Sequence, residues 1–160
     1  MLNNFAVYSH TSVKPSRPEI LAPPGEPQPT ANGRLVIASA NMSTSPADRI
    51  EETSHIQLTC QTRGGRPTPS IEWFRNGRQE ARSSNISLGR NMGSHAGKAG
   101  SHAVLRNVMT EATLRLRRDN LNTGDRLVCV VRNEALLRAE QLEDRELRAE
   151  VIIEVNCNPD

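Results

Sequence analysis

Aromatic side chains are almost absent from this chain. Its 160 residues hold one Trp, one Tyr and two Phe, and Phe5 and Tyr8 stand near the start, leaving Trp73 and Phe74 as the only aromatics further on. A core of the usual aromatic bulk is excluded, so the interior has to be small and aliphatic. Long apolar runs are missing too, and no stretch approaches the ~20 residues that a membrane-spanning helix needs. The opening MLNNFAVYSHTSVKPSRPEI contains no continuous apolar segment of the secretory kind. Read literally, that predicts a cytosolic chain; read as the start of a fragment, it leaves the compartment open. A single-sign charge excess is also lacking. Twenty basic and eighteen acidic residues leave a formal net charge of +2, well interspersed, which gives no electrostatic footprint for nucleic acid.

The marks of catalysis are missing as well. No nucleophile elbow, phosphate loop or paired-carboxylate motif occurs, and His95 and His102 sit in a Gly/Ser-rich stretch that offers no rigid frame for a reacting geometry. No Cys or His pair has zinc-ligand spacing. The expectation is a protein with no catalytic residues, no metal and no cofactor.

What the chain does have is strand periodicity. Residues 1–33 carry six of the ten prolines (Pro15, Pro18, Pro23, Pro24, Pro27, Pro29), each removing a backbone donor. They read as a linker with at most a short edge strand at Glu19–Leu21. From Arg34 the apolar residues recur with a period of about two, which predicts strands. RLVIAS (34–39) is a short edge candidate. HIQLTCQ (55–61) faces Ile56, Leu58 and Cys60 inward, and SIEWFR (70–75) faces Ile71 and Trp73 inward before an Asn76-Gly77 turn. EATLRLR (111–117) turns Ala112, Leu114 and Leu116 in. RLVCVVR (126–132) turns in Leu127, Cys129 and Val131, and RAEVIIEV (148–155) turns in Val151, Ile153 and Val155. The core is expected around Leu58, Ile71, Trp73, Leu116 and Leu127. The Gly/Ser/His-rich segment Ser87–Val104 has no periodicity and reads as a long loop. Glu134–Leu147 reads as a charged hairpin loop whose helix formers allow one helical turn.

Cys60 and Cys129 hold matching inward positions on two well-separated strands, with Trp73 inward on a third. That is the geometry of two sheets pinned across a core with the indole on the bridge. A disulfide closing a loop of roughly 70 residues contributes about 4 kcal/mol in the chain-entropy model. Two buried reduced thiols are the alternative.

The segments CQTRGGRPTPSIEWFRNG (60–77) and ATLRLRRDNLNTGDRLVCVVRNEAL (112–136) carry a family resemblance. The first resembles the second-to-third strand region of constant-type immunoglobulin domains in cell-surface adhesion receptors, most of all the nephrin-related group and the Sidestep axon-guidance receptors. The second is similar to the fifth-to-sixth strand region of the same domains, with Cys129 and Asn133 matching their Cys-x-x-x-Asn. VKPSRPEI (13–20) looks like the joint between two such domains. The resemblance covers most of residues 13–156. It implies an all-β, immunoglobulin-like two-sheet Greek-key sandwich at 34–156, with a Cys60–Cys129 disulfide and residues 157–160 beginning a link to a further domain. It also implies an extracellular, cell-surface location, any membrane attachment coming from a segment outside this chain. The partners implied are a like or unlike cell-surface protein and neighbouring immunoglobulin domains. Three departures stand out. Leu127 replaces the tyrosine usual two residues before the second cysteine, Thr123 replaces the usual Asp of the preceding turn, and the Ser87–Val104 loop is unusually long. The corner must then be held by other hydrogen bonds.

Remaining candidates lie on the surface. Asn41-Met42-Ser43 and Asn85-Ile86-Ser87 are glycosylation sequons in expected loops. Phe74, Val128, Val130 and Ile152 form an apolar stripe on the outward face of the Trp73 sheet, a candidate protein-binding surface. Arg63, Arg66, Arg75, Arg78, Arg82 and Arg90, joined by Arg117, Arg118, Arg126 and Arg132, read as a solvated face or as a site for an acidic glycan or protein. Cys157 is the odd cysteine, either a reduced, partly buried thiol or half of a pair with another molecule or a neighbouring domain. Two further assignments stay open: an intracellular structural immunoglobulin domain of a scaffold protein, and a soluble secreted one.

Overall fold

The computed structural model of the chain describes residues 11–39, 55–80 and 108–157. Among these residues, eight strands run in the order β1 (Glu19–Leu21), β2 (Arg34–Ala38), β3 (His55–Arg63), β4 (Ser70–Arg75), β5 (Arg78–Gln79), β6 (Met109–Arg117), β7 (Arg126–Arg132) and β8 (Leu147–Asn156). They form two sheets, one of three strands ordered β1-β3-β6 and one of five ordered β2-β8-β7-β4-β5. β2 runs parallel to β8, and the other pairings are antiparallel. The architecture is the expected all-β immunoglobulin-like sandwich. One helical turn, α1 (Glu134–Leu137), interrupts the β7–β8 connection, and a short 3-10 turn follows at Leu142–Arg145.

Alternation along each strand builds the interior. Leu58, Ile71, Trp73 and Leu127 are buried, while Leu116 packs against them half-buried near a sheet end. The two sheets are joined by the disulfide between Cys60 and Cys129, whose Cα atoms are 6.3 Å apart. One strand over runs a second tie. Trp73 lies opposite Cys129 in the register of β4 and β7, and Ala112 lies opposite Cys60 in that of β3 and β6. The Trp73 indole N–H donates across the sandwich to the Ala112 carbonyl at 3.0 Å. A buried indole thereby satisfies its one donor on the facing sheet, and the small Ala112 side chain keeps the sheets close there.

The edge strand expected at Glu19–Leu21 is present, and the residues just before it, read as linker, also pack on the sandwich. Val13 exchanges two backbone hydrogen bonds with Arg66, each 2.8 Å. The Ser16 N–H donates to the Arg63 carbonyl at 2.8 Å, and the Thr62 hydroxyl donates to the Ser16 carbonyl at 2.6 Å. β1 pairs with β3 and sends Ile20 into the core. The prolines stand where no ladder needs their missing donor, so a Pro-rich segment is compatible with packing on the sheet edge.

Asn133, buried just after β7, ties three segments together. Its amide donates to the Val13 carbonyl at 2.8 Å and to the Pro67 carbonyl at 3.2 Å, while its oxygen accepts from the Leu136 N–H and caps α1. Capping by Asn is what allows this single turn to form in a loop.

With leucine at 127, fully buried, the corner before β7 is held by Asp125 and Thr123. Asp125 accepts from the Asn122 N–H at 2.9 Å, from Arg75 at 2.7 Å and from the Asn76 amide at 2.8 Å. Thr123 accepts from the Val155 N–H at 2.9 Å. Arg75 also donates to the Asn120 carbonyl. The β4–β5 turn presents these partners because Asn76 and Gly77 both take positive φ, 50° and 79°, as a two-residue hairpin turn requires. Burial opposes ionisation of Asp125, but its three donors outweigh burial and hold the carboxyl below its ordinary range.

Two outcomes follow from these contacts. Trp73→Phe leaves the Ala112 carbonyl without its indole donor and opens space beside the bridge, which should cost about 2–4 kcal/mol in urea unfolding. Because Asp125 ionises more readily folded than unfolded, its contribution is present above the unfolded carboxylate pKa and is lost as pH falls through the lower folded value. Asp125→Asn should therefore lower stability at pH 7 and flatten its fall in the acid range below about pH 4; equal acid slopes for both proteins would refute the assignment.

Candidate surface for protein recognition

The outward face of the five-stranded sheet is built by strand register. Phe74, Val128 and Glu150 form one row, Glu72, Val130 and Arg148 the next, and Arg126, Ile152 and Arg34 a third. The four predicted apolar residues do share this face. Phe74, Val128 and Ile152 are half-buried. Val130 is only 3% exposed, so it is corrected from a contact residue to a covered one.

The reason lies in the charges around it. Arg132 pairs with Glu72 at 2.6 Å and with Glu146 at 2.6 Å, and Arg148 donates through Nε to Glu146 at 2.6 Å. Glu72 and Arg148 flank Val130 from either side, and Arg132 with Glu146 joins them. Long charged side chains of this kind cover apolar surface with their stems while keeping their heads wet. Burial pushes the Glu146 carboxyl up, but the hydrogen bonds from Arg148 and Arg132 prevail and hold it below the ordinary carboxylate range. Further along, Arg126 pairs with Glu150 at 2.6 Å, which raises the Arg126 guanidinium, and Arg34 pairs with Glu154 at 3.5 Å. The face is an apolar stripe inside a frame of matched charges.

The predicted basic region resolves into pairs. Arg75 binds Asp125, Arg117 binds Asp119, Arg118 binds Glu26, and Arg126 and Arg132 bind the glutamates above. Arg63, Arg66 and Arg78 are exposed, and Arg82 and Arg90 lie outside the described residues. So do the sequons at Asn41 and Asn85 and the Ser87–Val104 loop. Cys157 is an exposed, unbridged thiol among the described residues. The described residues contain no group of three or more metal-ligating side chains and no helix long and apolar enough to cross a membrane.

Several residues that shape this surface were not singled out in the sequence. Glu146 comes from the end of the charged hairpin loop and Arg148 from the start of β8, and it is the β7–β8 register that sets Arg148 opposite Val130. The largest exposed apolar side chains among the described residues are Val13, Val36, Leu137 and Leu142, none of them on the predicted stripe. Leu137 and Leu142 belong to that same hairpin loop, where no period marks which side faces out.

Comparison with known proteins agrees with this geometry. Among solved structures, the full three-domain ectodomain of mouse nectin-like molecule 4 is similar over 90% of this chain, with TM-score 0.53 and 14% identity. The two-domain structure Rst D1-D2 is similar over 91%, with TM-score 0.54 and 16% identity. At such identities the likeness concerns the fold. This chain spans 35% of the first of those chains and 51% of the second. No curated protein matches the sequence significantly. Residues 41–140 match the model of the CD80-like C2-set immunoglobulin domain, and with more than half its length matched, the chain belongs to that family.

Proposed function

We propose that this immunoglobulin domain serves in an extracellular adhesion or guidance receptor, where it recognises another cell-surface protein through the outer face of its five-stranded sheet. The observation that carries this reading is the half-buried row of Phe74 and Val128, with Ile152 diagonal to it, set inside paired charges. A small apolar centre with a polar rim is the usual anatomy of a protein contact. The Cys60–Cys129 bridge supports an oxidising compartment, since stable disulfides are rare in reducing ones. Recognition here is non-covalent, and the partner is a protein of the same or another kind.

A second reading makes the domain a rigid spacer between neighbours. The clamping of Val13 by Arg66 and Asn133 favours it, because that clamp fixes the chain direction at one end of the sandwich.

The two separate by mutation. Phe74→Ala with Val128→Thr should cost about 1–2 kcal/mol and leave cooperative unfolding intact. Recognition predicts that the double variant loses roughly tenfold or more in staining of cells displaying immunoglobulin-superfamily ectodomains, this chain among them. Staining equal to the unaltered domain would assign the spacer role. Val130→Asp, by contrast, should unfold or strongly destabilise the domain, because it places a carboxylate at a covered apolar position.

Location has its own check. Non-reducing peptide mass spectrometry of the native protein should find Cys60 linked to Cys129 and glycan on Asn41 or Asn85. Reduced thiols with both asparagines bare would place the domain inside the cell.

A further inference from the structure

Each side of β8 (Leu147–Asn156) is paired over only part of the strand. β7 runs beside it from Leu147 to Ile152, whereas β2 joins only from Ile152 onward. The backbone bond from the Ile153 N–H to the Asp125 carbonyl, 2.8 Å, sets the alternation on the β7 side. In an antiparallel ladder successive residues turn their backbone groups to opposite edges. Ile152 accordingly points away from β7, and its N–H donates to the Gly33 carbonyl at 2.7 Å. By the same alternation Arg148 presents its N–H and carbonyl to the outer edge and Glu150 its N–H, while the Glu150 carbonyl lies against Gly33, where a Cβ would stand 3.2 Å from it. There Gly33, at φ 70°, turns the chain away and sends its own N–H to the Thr30 carbonyl. Among the described residues no strand pairs with this part of β8.

Beside that edge lies an open groove of about 500 Å³, within the ~300–1,000 Å³ range of ligand clefts. Pro15, Leu136 and Leu147 give it an apolar floor. Lys14 and Arg17 stand along it on the clamped N-terminal segment, and Glu143 and Asp144 on the 3-10 turn before β8. All four of these charged residues are exposed, and none has an ion pair among the described residues, unlike the matched charges of the outer face. A free strand edge, an apolar floor and two unpaired charge groups of opposite sign thus meet in one place.

We propose that this groove takes an extended peptide segment of a partner protein, paired to the β8 edge at Arg148 and Glu150. The segment carries one basic side chain for Glu143 and Asp144 and one acidic side chain for Lys14 and Arg17. Backbone pairing gives affinity in this mode of strand addition, and the side chains give selectivity. The free edge from Glu146 to Glu150 spans about 14 Å at ~3.4 Å per residue, which sets the paired segment at four or five residues. The site is the backbone edge of β8, distinct from the outer face invoked for recognition above.

The test uses the full chain, isotopically labelled, with a blocked heptapeptide of alternating threonine and valine that carries one lysine and one glutamate. Saturable binding is expected, with shifts and slowed exchange at the Arg148 and Glu150 amides. A peptide with both charges replaced by serine should bind roughly tenfold more weakly, as should the variant Glu143→Lys with Asp144→Lys. Those positions are exposed, so the variant keeps its fold. Arg148→Pro removes an outward donor that β7 does not use, and should abolish the protection at Glu150. Absence of saturable binding overturns the proposal, as does equal binding of the charged and serine peptides. Shifts at Arg148 and Glu150 that follow protein concentration alone would give the edge to a second copy of this chain and overturn it too.

Discussion

Trp73, Cys129, Cys60 and Ala112 form a closed circuit through the middle of the sandwich. Two of its links are strand pairings, one in each sheet, and the other two cross between sheets, as the disulfide and as the indole hydrogen bond. A covalent crossing with a 69-residue separation restricts the unfolded chain most. The hydrogen bond then fixes the two sheets one strand further along, where a bridge alone would let them pivot. With one tryptophan and little other aromatic bulk, the domain has few alternative ways to hold its sheets in register. The other core side chains, among them Leu58, Ile71, Leu127, Val131, Val151 and Ile153, are aliphatic and pack around this circuit.

Away from the centre, polar contacts take over what bulk does elsewhere. The corner before β7 is pinned by a carboxylate with three donors and by a threonine that bonds to β8, in a place where leucine occupies the usual tyrosine position. The opposite end is pinned by Asn133, which holds the entering chain, the β3–β4 turn and α1 at once. Each contact closes over a buried or partly buried group, where an unmet partner is costly and a satisfied one specifies a single arrangement. The same economy appears on the outer face, where an ion-paired chain flanks the buried Val130.

The strands, their inward phases, the bridge and the Asn76-Gly77 turn were legible in the sequence, because period-two alternation and turn chemistry are local signals. Ile71 and Trp73 against Glu72 and Phe74 is enough to set which way β4 faces. The partners of the corner were legible only as a gap: the missing tyrosine said that something else must hold the turn, but Asp125 reaches Arg75 and Asn76 across some fifty residues of sequence. The edge strand at Glu19–Leu21 was legible, but proline content hid the packing of residues 13–18, since composition counts missing donors and is blind to an edge where none is needed. Val130 shows the same limit on the surface. Its outward phase follows from alternation, but its burial is set by what the fold packs around it, where Arg132, Glu146 and Arg148 meet.

The start of β8 links the two surfaces of this domain. Arg148 contributes its side chain to the charged frame over Val130 and its backbone to the free edge beside the groove. Its Glu146 partner lines that groove as well. An extended segment paired at Arg148 would lie against the same ion pair that keeps Val130 covered. In the Arg132–Glu146–Arg148 chain, Arg132 donates to Oε2 of the shared carboxylate and Arg148 to Oε1. The groove proposed for an extended segment and the charged frame beside Val130 therefore share Glu146 and Arg148.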